Sequence, residues 1–222
     1  MSRPPEAIAE LIADLQSDDE FARSQAAFAL SILGEPAVPM LIELLRNPVR
    51  QIRMRAAWTL GAMGGPAVPA LLEAAEGPDR ALRIEAIRVL GVIGEGRALN
   101  QLFTALADPD VSVSSRAARS LGKIGDPRAF HPLITALHHP HPNVRYEAAQ
   151  SLVMLRQRAA IPALREAATK ERGSTSWGAR VADAMRRAAA ELETIAEEHQ
   201  QFDLTRLEAM LRQVKEERVN DQ

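Results

Sequence analysis

The sequence predicts an all-α fold, a right-handed α-α superhelix (an α-solenoid) of about six helical hairpins closed by a C-terminal helical cap. Two observations carry this: a period of about 30 residues along most of the chain, and two amphipathic registers inside each period. Composition agrees, because 46% of the residues are hydrophobic while only 4% are aromatic, which leaves the packing to Ala, Leu, Val and Ile, as closely spaced helices require.

The first register begins at an Ala-apolar pair, which recurs at an almost constant interval as Ala7-Ile8, Ala37-Val38, Ala67-Val68, Ala98-Leu99, Ala129-Phe130 and Ala160-Ile161. Three positions after each apolar anchor stands Leu11, Leu41, Leu71, Leu102, Leu133 or Leu164. That spacing makes one apolar face of a short helix. The second register opens beyond the intervening turn with Ala26, Ala56, Ala86, Ala117 and Ala148, each followed one helical turn later by Leu30, Leu60, Leu90, Leu121 or Leu152. Steps of four and then three positions stay on one helical face, so each unit holds a second amphipathic helix. Gly34, Gly64, Gly94 and Gly125 stop these helices, since glycine adopts a positive φ without steric cost. Between paired helices lie Asp, Asn, Pro and His turns such as Asp108-Pro-Asp110 and His139-Pro-His-Pro142, which supply N-capping groups. No hairpin can bury its apolar stripe alone, and stacking the hairpins makes one continuous core.

The units start near residues 6, 36, 66, 97, 128 and 159, giving a solenoid over residues 1–190 and an acidic C-terminal cap or arm over residues 191–222. The sixth unit departs from the pattern: Arg165 replaces the usual aliphatic or Phe, and a polar connector from Lys170 to Ser176 leads into a long helix expected over residues 176–198. A last helix is expected with Asp203 as N-cap and Leu204, Leu207, Leu211 and Val214 at heptad spacing. Residues 191–222 hold 9 acids against 4 bases, whereas residues 1–190 hold 20 against 23. The tail either caps the core or docks on a partner or a second copy.

Twenty-nine Asp+Glu against 27 Lys+Arg give a net charge of −2, which names no partner. The absence of cysteine excludes disulfides, thiolate catalysis and cysteine-ligated metals. The N-terminal stretch lacks a basic segment followed by an apolar one, and no run reaches the roughly 18 apolar residues of a membrane span, so a cytoplasmic protein without membrane contact is expected.

Segments such as Ile52-Arg-Met-Arg-Ala-Ala-Trp-Thr-Leu-Gly-Ala-Met-Gly64, Leu82-Arg-Ile-Glu-Ala-Ile-Arg-Val-Leu-Gly-Val-Ile-Gly94 and Val144-Arg-Tyr-Glu-Ala-Ala-Gln-Ser-Leu152 resemble HEAT repeats. The short subtype named after phycobilisome lyases is the closest in pattern. The resemblance covers the first five units and speaks to fold. It implies an armadillo-type array used for protein binding, with two alternatives: a phycobilin-lyase-like subunit that handles a tetrapyrrole, and a HEAT-like nucleic-acid binding or repair protein. Only three lysines, Lys123, Lys170 and Lys215, speak against a phosphate-backbone stripe. The iron hydroxylases of similar repeat type use repeated His-Glu pairs, and this chain has none.

Candidate sites follow from columns of the repeat. Arg23, Arg53, Arg83 and Arg145 form one column, broken by Ser114, and with Asp19 and Asp79 one turn before two of them it reads as a structural Asp-Arg ladder. Positions one, five and nine after that column point away from the Ala-Leu stripe and should line the inner face. The candidate partner-binding residues are Phe28, Met54, Trp58, Ile84, Arg88, Arg119, Lys123, Tyr146 and Met154. Exposed aromatic and aliphatic groups mark an interaction surface, and Arg88, Arg119 and Lys123 place a basic centre between apolar ends. That combination suits an acidic or amphipathic protein segment. His131, His138, His139 and His141 cluster in the fifth unit without a carboxylate at ligand spacing, so no metal is expected there. No phosphate loop, nucleophile elbow or His-Glu-x-x-His motif is present, so no cofactor and no catalytic residue is expected. The expectation is a noncatalytic protein-binding scaffold that uses the concave face of the solenoid.

Overall fold

In the computed structural model, which describes residues 5–198 and residue 202, helices and short turns succeed one another up to a ten-residue connector over residues 171–180. The first helix of each hairpin is α1 (Pro5–Gln16), α3 (Val38–Leu44), α5 (Val68–Glu76), α7 (Leu99–Ala105), α9 (Phe130–Ala136) and α11 (Ile161–Lys170). The second is α2 (Glu20–Leu33), α4 (Arg50–Met63), α6 (Arg80–Ile93), α8 (Val111–Ile124), α10 (Pro142–Met154) and α12 (residues 181–198). Second helices pack in succession, α2 on α4, α4 on α6, α6 on α8 and α8 on α10, as a one-dimensional stack demands. No single helix among the described residues is long and apolar enough to cross a membrane.

The anchor alanines explain the period. Ala37, Ala67, Ala98, Ala129 and Ala160 are fully buried, and each closes a short 3-10 turn that bends the chain into the next first helix. A larger side chain has no space at such a bend. The second-register leucines Leu30, Leu60, Leu90, Leu121 and Leu152 are likewise inaccessible, and one apolar cluster runs from Ile8 to Leu192. At roughly 1.5 to 3 kcal/mol for each fully buried aliphatic side chain, this shared cluster is the main source of stability.

Each stop glycine takes a positive φ, between 66° and 76°. Gly94 and Gly125 are left-handed, whereas Gly34 and Gly64 have ψ of −138° and −130°, a region that a side chain disfavours still more. Helix starts are capped as the turns imply: Asp19, Asp79, Asp110 and the Nδ1 of His141 accept backbone N–H groups of α2, α6, α8 and α10.

The arginine column is structural, but its partners differ from the expected aspartates. Arg53 Nη1 donates to the carbonyls of Asn47 and Pro48 at 2.8 and 2.9 Å, and Arg145 Nη1 to His139 and Pro140 at 2.7 and 2.8 Å. Arg23 and Arg83 hold the corresponding carbonyls of their own turns. Asp19 and Asp79 cap their own helices, Asp79 also pairing with Arg46, and Arg83 meets Asp108 of the following turn at 3.8 Å while the long arginines reach carbonyls at the end of the preceding helix. Ser114, which breaks the column, is buried and turns its hydroxyl to the carbonyls of Asp110 and Val111 at the start of its own helix.

The sixth unit also differs from expectation. The long helix begins at residue 181 and not at Ser176, because Thr175 first closes a loop: Thr175 N donates to Ala179 O, Ala179 N to Thr175 Oγ1, and Gly178 takes φ 87°. Arg165 lies on the surface and pairs with Glu193 of α12 at 2.5 Å. Helix α12 runs unbroken through residue 190 and buries Val181, Met185, Ala188 and Leu192 in the common core. The helix expected from Asp203 to Val214 lies outside the described residues.

Candidate partner-binding face

Position in the helical repeat decides which side chains reach this face. In α2 and α4, Ala26, Leu30, Ala56 and Leu60 point into the core, so residues two positions away point outward. Trp58 is 76% exposed and Phe28 66%, with Met54 and Ile32 exposed beside them. Phe28, Met54 and Trp58 line one groove of about 570 Å³ between α2 and α4. The floor is ordered by Arg55, whose Nη1 reaches the carbonyls of Leu15 and Ser17 at 3.3 Å, and by Arg23, already tied to the same turn. These cations are held by carbonyls at the C-terminal end of α1, which leaves the groove wall apolar.

Further along, the face is charged. Ile84 and Tyr146 are half-buried rather than open, and Met154 is exposed but stands outside the grooves described here. Arg119 forms a two-pronged pair with Glu147 of α10, at 2.9 and 2.6 Å, and Glu147 is only 6% exposed. Arg88 pairs with Glu85 on its own helix, Nε lying 2.7 Å from Oε2. Two of the three cations expected as the basic centre therefore already carry a carboxylate. Lys123 is exposed and has none among the described residues, and its ammonium is held below the ordinary lysine range by partial burial first and then by Arg119, Arg116 and Arg88.

Two residues that sequence reasoning passed over complete this part of the face. Arg116, half-buried on α8, engages in no hydrogen bond or ion pair among the described residues. Trp177, from the connector before α12, stacks edge-on against Tyr146 with centroids 5.5 Å apart. Trp177, Arg116, Ser115, Ile84 and Arg119 share a hollow of about 390 Å³ between α8 and α10. A signal for Arg116 existed: it lies one turn before Arg119 and two before Lys123, on the same helical face. Trp177 carried none, because it belongs to no repeat column.

His139 and His141 take structural parts. His141 N donates to His139 Nδ1 at 3.1 Å, and Asn143 N to His141 Nδ1 at 3.2 Å, so both rings finish the turn before α10. Phe130 meets the His131 ring edge-on at 5.1 Å. Among the described residues no group of three or more His, Asp or Glu is arranged to hold a metal.

A family profile described as HEAT repeats matches residues 2–61, 38–113, 68–138 and 99–192. No curated protein matches the chain. Among solved structures, the fold is similar to the complex of CpcE and CpcF of phycocyanin lyase from Nostoc sp. PCC7120, with a TM-score of 0.59 and 24% identity over 69% of this chain and 98% of that one. It is also similar to the Kap95:Nup1 complex, with a TM-score of 0.57 and 18% identity over 85% of this chain and 31% of that one. At such identities the likeness is one of fold. With overlapping repeat matches from residue 2 to residue 192 and the stacked hairpins described above, the chain belongs to the HEAT-repeat proteins.

Proposed function

We propose that the protein is a noncatalytic scaffold that binds a protein segment along the outward face of its second helices. One observation carries the reading: Trp58 and Phe28 stand open beside a groove in helices whose inward residues are wholly buried. Exposing a tryptophan and a phenylalanine side by side forgoes burial worth a few kcal/mol, and aromatic side chains dominate interface energetics. The Kap95 structure, whose name records a complex with Nup1, supports the reading as an array of this fold with a protein partner.

The segment that fits has apolar anchors for the α2–α4 groove and negative charge toward α8. The lyase-like and nucleic-acid readings have less support. The phycocyanin lyase and Kap95 complexes are both likenesses of fold, so the lyase-like reading stands on fold alone, whereas the scaffold reading also has the open Trp58 and Phe28. Arg88 and Arg119 are occupied by Glu85 and Glu147 rather than presented as a phosphate-binding stripe. The test is selection from a random peptide library displayed on phage, against the full-length chain. Selected peptides should combine an aromatic or aliphatic residue with acids, and Trp58→Ala should weaken them by tenfold or more with an unchanged circular dichroism spectrum. Peptides indifferent to Trp58→Ala would overturn the reading.

A further inference from the structure

Three arginines and two glutamates decide the electrostatics of the hollow between α8 and α10. Glu147 pairs with Arg119 and Glu85 with Arg88, so Arg116 is left as a half-buried guanidinium with no hydrogen bond or ion pair of its own among the described residues, Glu85 and Glu147 acting on it only through space. Beside it, Ser115 Oγ is buried and makes no hydrogen bond among the described residues. A buried hydroxyl without a partner and a desolvated cation without a hydrogen-bonded carboxylate are both unfavourable, and both are relieved by one incoming acceptor group. Lys123, two turns further along α8 and without an ion pair among the described residues, adds a second positive charge that attracts an anion from solution.

We propose that Arg116 and Ser115 form a seat for a single carboxylate, presented by an acidic segment of the protein partner. This rests on the scaffold reading for the identity of the occupant. A carboxylate matches the donors present, because a guanidinium offers two parallel N–H groups to its two oxygens and the serine hydroxyl adds a third donor. The walls select one negative charge rather than two, since Glu85 and Glu147 both act on Arg116 and repel a dianion. Burial first, and then the Arg119 charge, pull the Arg116 guanidinium below its ordinary range, with Glu85 and Glu147 opposing. Ile84 and Trp177 line the same hollow and give the methylene groups of a glutamate an apolar surface. The chain's own residues 199–222 are a poor occupant, with five acids against four bases.

The test uses a hexaglutamate peptide and the full-length chain at low salt, followed by the side-chain Nε–H signals of arginine in nuclear magnetic resonance. The Arg116 signal should shift with saturation, and Arg116→Gln should weaken binding at least fivefold, while Arg128→Gln, an exposed arginine elsewhere, leaves it unchanged. Equal losses in both variants would mean diffuse attraction and would overturn the seat. A saturating shift caused equally well by inorganic phosphate would overturn the carboxylate assignment. If Arg116→Gln does not fold, the wild-type Arg116 shift alone decides. Trp58→Ala should leave hexaglutamate binding intact, so failure of the seat and failure of the scaffold reading give different results.

Discussion

Gly91 and Ser120 interlock: a Cβ on Gly91 would lie 2.5 Å from both the Cβ and the Oγ of Ser120. The missing side chain lets α8 settle against α6 closely enough for Ser120 Oγ to donate to Ile87 O at 2.9 Å, within the core. One unit later Gly122 and Ser151 repeat the arrangement, with Ser151 Oγ donating to Ala118 O at 2.9 Å. The Leu-Gly step in the repeat is thus a packing device, the glycine of one helix receiving the serine of the next.

Gly91→Ala should destabilise the protein by about 1 to 3 kcal/mol, because the new methyl meets both the backbone and the side chain of Ser120. Gly61→Ala meets only Val92 Cγ1, at 3.2 Å, and should be milder. Urea unfolding of the two variants gives the ranking, and equal stabilities would refute the interlock.

Arg145 joins three pieces of chain. Its Nη1 holds two turn carbonyls, while Nε and Nη2 meet Glu171 of the next unit at 2.5 and 2.9 Å. Glu171 keeps only 6% of its side chain exposed. Arg145→Ala leaves that carboxylate without its cation and should cost about 3 to 5 kcal/mol by denaturant unfolding. In the double variant Arg145→Ala with Glu171→Gln part of the loss should return, which a purely steric role for Arg145 would not produce.

A central leucine tests the shared core. Leu71 is fully buried, so Leu71→Ala should cost roughly 2 to 5 kcal/mol, and the exposed-face change Phe28→Ala should stay within about 0.5 kcal/mol of wild type. The contrast is read in the same unfolding series.

His139 makes stability fall on mild acidification. Burial first, and then the charges of His141 and Arg145, hold its imidazole below the ordinary 6.5, despite the opposing backbone contact with His141. The unfolded chain then binds more protons below that value than the folded one. The contribution is therefore complete above 6.5 and is lost as the pH falls through 6.5 toward the lower folded-state value. The unfolding midpoint of the wild type should drop more steeply between about pH 7.5 and 5.5 than that of His139→Asn. Parallel curves would remove His139 from the account.

Both tryptophans are exposed, at 76% and 56%, so the folded protein should show red-shifted emission that iodide quenches efficiently. Occupation of the α2–α4 groove should shift the Trp58 component to the blue, and a signal unaffected by Trp58→Phe would place the change at Trp177 instead.

The hairpins, the stops and the outward phase of Phe28 and Trp58 were legible in the sequence because each is a column repeated at fixed spacing. A helical face is a local property, and repetition averages out exceptions. What escaped the sequence depends on one-off encounters between distant residues. Arg119 finds Glu147 on the next unit's second helix, which transfers the unpaired charge to Arg116. Trp177 reaches Tyr146 from a connector with no counterpart in other units, and the Thr175 loop that delays α12 is likewise unique.

The spacing of the second helices also sets how the array deforms. Where serine and glycine interlock, α6, α8 and α10 lie in closer contact than α2 with α4 or α4 with α6. Tighter interlocking predicts that the later hairpins resist bending as one block and that the earlier joints are softer, with slower amide exchange in α8 and α10 than in α2 and α4. A ligand wedged beside Trp58 would spend its force on the softer joints and change the bend of the whole arc, whereas one seated on α8 would meet a stiff wall. On the proposed reading the array would act as a spring of uneven stiffness, compliant beside Trp58 and stiff along α8.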